Sequence, residues 1–232
     1  MFKRAARLRV THVNYAADLD KPRAEPKEVR ALTGKQGVGF VNHIKKSGDE
    51  TLRDVCIISI STGLRAGEVL GLRWEDIDLE STPPTIRNTG TLTYSKEGGH
   101  QRASKGKTAN ATRVVEVPTL AEKILRLRSG KYAEHLEMVF PSHAGTYIWE
   151  NNFNRKLREA RKGSEWDWVT VHTMRKTLAT IIADAEKRGA QLSATALGHG
   201  NDRLTSRTYI AHGHEVTPTR EFVDQFLKGL SV

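Results

Sequence analysis

The feature that most constrains the fold is a change of hydrophobic period along the chain, from helical to extended and back to helical. In DETLRDVCIISISTG, residues Leu52, Val55, Cys56, Ser59 and Ile60 fall on one helical face, and Gly63 stands where a helix C-cap belongs. A short helix over RAGEVLGLRW follows. The segments IDLE, PTIRNTGTLTYS and TRVVEVP are then β-rich, and the Gly/Lys-rich stretch EGGHQRASKGK before the last of them reads as a long basic hairpin loop. After Pro118 the helical period returns in LAEKILRLR, YIWENNFNRKLREARK and VHTMRKTLATIIADAEKRG. The segment VTPTREFVDQFLKGLSV reads as one amphipathic helix with Val223, Phe226, Leu227 and Leu230 on a face. The expected class is mostly α with one small antiparallel β-sheet, an α+β fold. Residues 1–25 read as an appendage: Lys3, Arg4, Arg7 and Arg9 suit a short basic helix, and Pro22 and Pro26 flank a linker. From residue 26 to 232 there is no second linker and no internal repeat, so this stretch reads as one domain.

Charge narrows the choice of partner. Lysine and arginine number 37 against 27 acidic residues, a formal net charge of +10 on 232 residues, of which 38% are hydrophobic. So large an excess on a compact, core-forming chain points to a polyanion, nucleic acid first and anionic membrane second. Cys56, the single cysteine, excludes an intramolecular disulfide framework and a cysteine-based zinc site, and it suits a reducing compartment. No apolar run approaches the ~20 residues a membrane helix needs. The segment MFKRAARLRV lacks the apolar stretch and cleavage site of a signal peptide. A soluble, cytoplasmic protein directed at nucleic acid rather than membrane is expected.

Four clusters could carry chemistry. TGLRAGEVLGLRWEDID sets Arg65 after a glycine turn at the start of a helix, where a guanidinium beside free backbone amides can grip a phosphate; the plain alternative is a surface arginine paired with Glu68 at i+3. HTMR puts His172 and Arg175 on one helical face, against the alternative of a solvated face with a capping histidine. LGHGNDRLTSRTYIAH holds His199 and, ten residues on, Tyr209 in a polar, basic segment, where a partly exposed structural tyrosine is the plain reading. SKGKTANATRVVEVP carries Lys105 and Lys107 in the hairpin loop, where most lysines are merely solvated. Taken together, the set matches what in-line displacement at a phosphodiester requires: a nucleophile that can leave again, cations for the transition state, and an acid for the departing hydroxyl. No Asp/Glu cluster with metal-ligand spacing accompanies these residues, so side chains must supply the cations, and neither metal nor cofactor is expected.

These boxes resemble those of the tyrosine recombinases, the phage-integrase type of site-specific DNA recombinase. TGLRAGEVLGLRWEDIDLE is similar to the family's first arginine box, HTMRKTLAT to its His-x-x-Arg helix, and LGHGNDRLTSRTYIAH to the final box that ends in the nucleophile. The likeness runs from about Pro26 to the C-terminus. It implies an integrase-like catalytic fold in which Arg65 and Arg175 clamp the scissile phosphate, His172 assists them, and His199 hydrogen-bonds the phosphate. Tyr209 would attack to give a 3′-phosphotyrosyl bond, and Lys107 would protonate the leaving 5′ hydroxyl, with Lys105 and Lys96 as rivals. Glu68 would support the site.

The implied partner is double-stranded DNA carrying a core-type site, with a tetramer on two DNA sites. The C-terminal helix would either cover the chain's own core or dock on a neighbouring subunit. Members usually carry a DNA-clamp domain before the catalytic one, so residues 1–25 resemble its last helix and linker, and a fragment or a minimal enzyme is expected. Two other functions stay open at this point: a type IB topoisomerase, similar in chemistry, and a non-catalytic DNA-binding module.

Overall fold

The computed structural model describes residues 7, 8, 10, 30–96, 99–104, 113–185, 216, 217 and 219–230. Almost all of the proposed appendage and linker therefore lies outside the described residues.

The centre of the molecule is α2 (Glu50–Thr62), which packs against α1 (Gly34–Lys45), α3 (Ala66–Leu70), α4 (Thr119–Tyr132), α5 (Glu150–Arg161) and α6 (Val171–Ala185). Asp49 starts α2 by accepting a hydrogen bond from the Leu52 amide at 2.9 Å, and Gly63 ends it in the left-handed conformation, as expected of a C-cap. The sequence suggested one apolar face. In the structure every residue from Asp54 to Thr62 is buried, because neighbours surround the helix. Ile57, Ile58 and Ile60 alone each contribute roughly 1.5–3 kcal/mol by burial. The one charge in this stretch, Asp54, is held by Arg128 of α4 at 2.8 Å and by Arg53 at 2.8 Å. The Arg128 guanidinium also lies 4.6 Å over the Phe140 ring and donates through Nε to the Val139 carbonyl, so the two buried charges offset each other while Nη2 has no hydrogen-bond partner among the described residues.

Four strands form one sheet in the order β1 (Ile77–Asp78), β2 (Thr85–Asn88), β5 (Arg113–Glu116), β6 (Val216–Thr217). The first two pairings are antiparallel and β5 with β6 is parallel. A separate antiparallel hairpin joins β3 (Gly90–Ser95) to β4 (Gly99–Ser104). Two expectations are thereby revised. Part of the stretch read as loop is strand β4, and the sheet gains a parallel member. β4 has no apolar alternation, so its pairing comes from the backbone ladder and from Arg102. That guanidinium donates to the Gly71 carbonyl at 2.7 Å, to Asp76 at 2.8 Å and to Thr89 at 2.8 Å. A Cβ at Gly90 would meet the Arg102 guanidinium, so a side chain there would push that group off its partners.

The last helix, α7 (Arg220–Phe226), is shorter than the sequence suggested and covers the chain's own core. Val223 and Leu227 are buried, Phe226 and Leu230 partly so. No helix among the described residues is long and apolar enough to cross a membrane.

Candidate active site

The site is built on the turn that ends α2. Gly63, at φ 62° and ψ 15°, reverses the chain, and the extended Arg65 leads into α3. Glu68, in the first turn of α3, reaches back: its Oε2 accepts from the Arg65 amide at 2.8 Å and its Oε1 from Arg65 Nη1 at 3.1 Å. The i+3 pair weighed as the plain alternative is therefore present, but it is lopsided. Glu68 is 1% exposed while the Arg65 side chain is 55% exposed, so the acid anchors the backbone turn and the guanidinium reaches outward.

A buried carboxylate needs more than one half-exposed partner. The second is Arg113, the first residue of β5, whose Nη2 lies 3.2 Å from Glu68 Oε2 and 3.5 Å from the Gly63 carbonyl oxygen. Sequence reasoning missed it. The single clue was an arginine standing just before the buried valines of a strand.

Arg175 of α6, also buried, donates through Nη1 to the same Gly63 carbonyl. Burial, and then the positive charges of Arg113 and Arg65, push its pKa down to about 10 against the raising effect of Glu68, and at neutral pH it stays protonated. Burial lowers the Arg113 pKa as well, with Glu68 opposing and Arg65 adding to the lowering.

His172 lies one turn before Arg175 and is exposed. Thr170 and Thr173 exchange hydrogen bonds at the start of α6, so the cap there is a threonine and His172 is left over for other work. Its pKa is held below the ordinary 6.5 by partial desolvation and by the positive charges of Lys176, Arg175 and Arg65. These surroundings favour the neutral imidazole, and His172 lies close enough to both arginines for their charges to act on it.

Of the residues singled out in the sequence, Arg65, Glu68, His172 and Arg175 come together here. Lys105, Lys107, His199 and Tyr209 lie outside the described residues. Lys96 is exposed just past Ser95, at the end of the hairpin away from the Gly90–Ser104 pair. Five residue steps of strand, about 17 Å, separate those two ends. The Gly90–Ser104 end is the one nearer α3, where added side-chain atoms at Gly67 would meet Thr91 and Leu92. Among the described residues, no three or more His, Cys, Asp or Glu side chains gather as metal ligands would.

The chain is similar to known proteins in sequence and in fold. A XerC-like tyrosine recombinase from Caldanaerobacter subterraneus subsp. tengcongensis is 28% identical over 178 residues, covering 68% of this chain and 45% of the relative. The tyrosine recombinase XerC of Xanthomonas campestris pv. campestris is 28% identical over 205 residues, covering 84% and 55%. The chain thus spans about half the length of these relatives. Among solved structures, the Tn1549 transposon integrase in complex with a circular intermediate DNA superposes with a TM-score of 0.66 at 20% identity, covering 86% of this chain and 68% of that one. A lambda integrase from a tetramer bound to a Holliday junction gives 0.54 at 17% identity, covering 90% and 57%. These two likenesses establish the shared fold. The sequence model of the phage integrase family matches residues 30–215, a span that takes in the α2–α3 turn, β5 and α6 together, and the chain belongs to that family.

Proposed function

We propose that residues 26–232 are the catalytic domain of a site-specific DNA recombinase that cuts and rejoins strands through a 3′-phosphotyrosyl intermediate. The observation that carries the reading is the convergence of Arg65, Arg113 and Arg175 on two acceptors at the α2–α3 turn, the Glu68 carboxylate and the Gly63 carbonyl, with His172 one turn before Arg175 on α6. Three guanidinium cations share a single nearby acid; burial first, and then their mutual repulsion, lowers the pKa values of Arg113 and Arg175. A phosphodiester relieves it in part. A pentavalent phosphorane, carrying one more negative charge, relieves it further, so the site favours the transition state over the bound substrate.

In the proposed reaction the Tyr209 phenol oxygen attacks phosphorus and the bond to the 5′ oxygen breaks. The phenolic proton passes to His172, which is neutral and able to accept it. The departing 5′ oxygen takes a proton from Lys107. Arg65 and Arg175 hold the non-bridging oxygens with His199, and Glu68 keeps Arg65 in place. Attack by a 5′ hydroxyl from a second duplex reverses the steps and releases the tyrosine, so no external energy source is needed. Lys107 or Lys105 is preferred to Lys96 because both follow Ser104, at the site-proximal end of the hairpin. Double-stranded DNA is the substrate and the cytoplasm the place of action. Four subunits on two sites, as in the lambda integrase tetramer on its junction, form the working assembly.

The test is selection from a pool of nicked duplexes with a randomised core. Departure of the short nicked strand traps the covalent intermediate, and adducts that survive SDS are recovered and sequenced. A defined core sequence among the recovered adducts supports the recombinase. Adducts without sequence preference favour a topoisomerase-like enzyme, and binding with no adduct favours a non-catalytic module.

A further inference from the structure

We infer that Arg113 is a positioning residue for the phosphate clamp: it ties the Glu68 carboxylate and the Gly63 carbonyl together from behind, so that Arg65 and Arg175 stay fixed relative to each other. This inference rests on the clamp reading above and adds to it a residue that reading did not need.

The geometry supports the assignment in three steps. The clamp hangs on two acceptors, the Glu68 carboxylate and the Gly63 carbonyl. Arg65 is bound to the first and Arg175 to the second. Arg113 Nη2 reaches both, at 3.2 Å and 3.5 Å. Secondly, the Arg113 side chain is 11% exposed against 55% for Arg65, so it sits beneath the outward-reaching guanidinium. Thirdly, its anchorage is rigid. β5 is paired on both edges, with Asn88 opposite Arg113 on β2 and with β6 on the other side.

Removing Arg113 takes from the buried Glu68 carboxylate one of the cations that compensate it. The carboxylate then draws the flexible Arg65 guanidinium inward to satisfy itself, away from where a phosphate would sit. The Gly63 carbonyl loses one of its two arginine donors at the same time. A lysine keeps the charge and the donors but carries them on a shorter chain, so its ammonium reaches the position of Nη2 only imperfectly.

The experiment compares wild type, Arg113→Met, Arg113→Lys, Glu68→Gln, Arg65→Ala and the Arg113→Met/Glu68→Gln double variant. The substrate is the nicked duplex that wild type attacks fastest in the selection above. Adduct formation at saturating protein and equilibrium DNA affinity are measured separately, with a thermal melt for each variant. Arg113→Met is expected to slow adduct formation about 10- to 100-fold, the scale of a misplaced reacting group. Its DNA affinity should stay within about threefold, since one buried cation adds little to a backbone-dominated interface. Arg113→Lys should fall between wild type and Arg113→Met. The double variant should be no slower than the worse single variant, because both changes break one linkage.

A wild-type rate in either Arg113 variant overturns the inference, and so do fully additive losses in the double variant. Where Arg113→Met does not fold, Arg113→Lys and Glu68→Gln carry the same comparison. If Arg65→Ala itself attacks at the wild-type rate, the clamp reading fails and this inference falls with it. If Arg65→Ala is inactive while Arg113→Lys is unimpaired, only the role of Arg113 is lost.

Discussion

Three arginines can be held close together only because two acceptors lie between them, and one of those acceptors is a backbone carbonyl at the end of a helix. The C-terminal carbonyls of a helix carry partial negative charge, and the left-handed Gly63 turns one of them toward Arg113 and Arg175. Arg65→Ala and Arg175→Ala should each remove about 3–4 kcal/mol of transition-state stabilisation, read as a fall in single-turnover cleavage on the order of 10²- to 10³-fold. Wild-type cleavage by either variant would take that arginine out of the site. His172 gives a second check. Its NMR titration midpoint in the free protein should lie below 6.5 and rise when DNA binds, because a nearby phosphate favours the imidazolium. A midpoint that DNA leaves unmoved would contradict its placement beside the clamp. The lowered value also sets the sign of its link to stability. The contribution is present above pH 6.5 and is lost as pH falls through the lower folded value. Much of this site was legible in the sequence, since Arg65 with Glu68 and His172 with Arg175 are neighbours along their own helices. Arg113 was not, because its partners are 45 and 50 residues away and no local period records such a contact.

At the scale of elements, the helix ends show why local rules read boundaries imperfectly. Pro118 precedes α4 and has no side chain to cap it, so Asp224 of α7 does so across 105 residues. One oxygen accepts from the Thr119 amide at 2.7 Å and the other from the Thr119 hydroxyl at 2.6 Å. The service is returned, since Glu116 at the end of β5 accepts from the amides of Thr219 and Arg220, at the start of α7. Asp224→Ala should therefore cost about 1–2 kcal/mol, the usual value of an N-cap, seen as a lower unfolding midpoint in denaturant. An unchanged midpoint would show that water replaces the cap at no cost. The docking of α7 has a second requirement at Gly37 on α1, where an added Cβ would lie 2.6 Å from the Phe226 ring. Gly37→Val should displace that ring at a cost of about 1–3 kcal/mol and expose α7 to limited proteolysis, whereas wild-type resistance to protease would mean the ring finds other space. The apolar face of α7 was visible in the sequence. The strand that precedes it, the length of the helix and its reciprocal caps were not, because each depends on β5 and α4. Strand β4 was hidden for a similar reason: Arg102 is satisfied by Asp76, Thr89 and the Gly71 carbonyl, all outside its own strand.

At the scale of the molecule, α2 links two buried charge centres. Asp54 near its start is locked by Arg128, and the turn after its end carries the clamp. The intervening residues fill the core, so the site is mounted on a helix that is buried from Asp54 to its end. The net charge of +10 works at this same scale. Affinity for duplex DNA should fall by a hundredfold or more, in order of magnitude, between 50 and 200 mM salt, because each neutralised phosphate releases counterions. An affinity flat with salt would argue that the excess charge lies away from the DNA. The central claim is that this cationic turn serves a tyrosine nucleophile, and the most direct measurement is to identify the residue joined to DNA. The trapped adduct, formed in the presence of EDTA, is digested with nuclease and trypsin and its peptides are analysed by mass spectrometry. The account predicts a nucleotide linked through its 3′ phosphate to Tyr209, and no adduct from Tyr209→Phe despite near-normal DNA binding. A linkage to any other residue, or an adduct that persists in Tyr209→Phe, would contradict it.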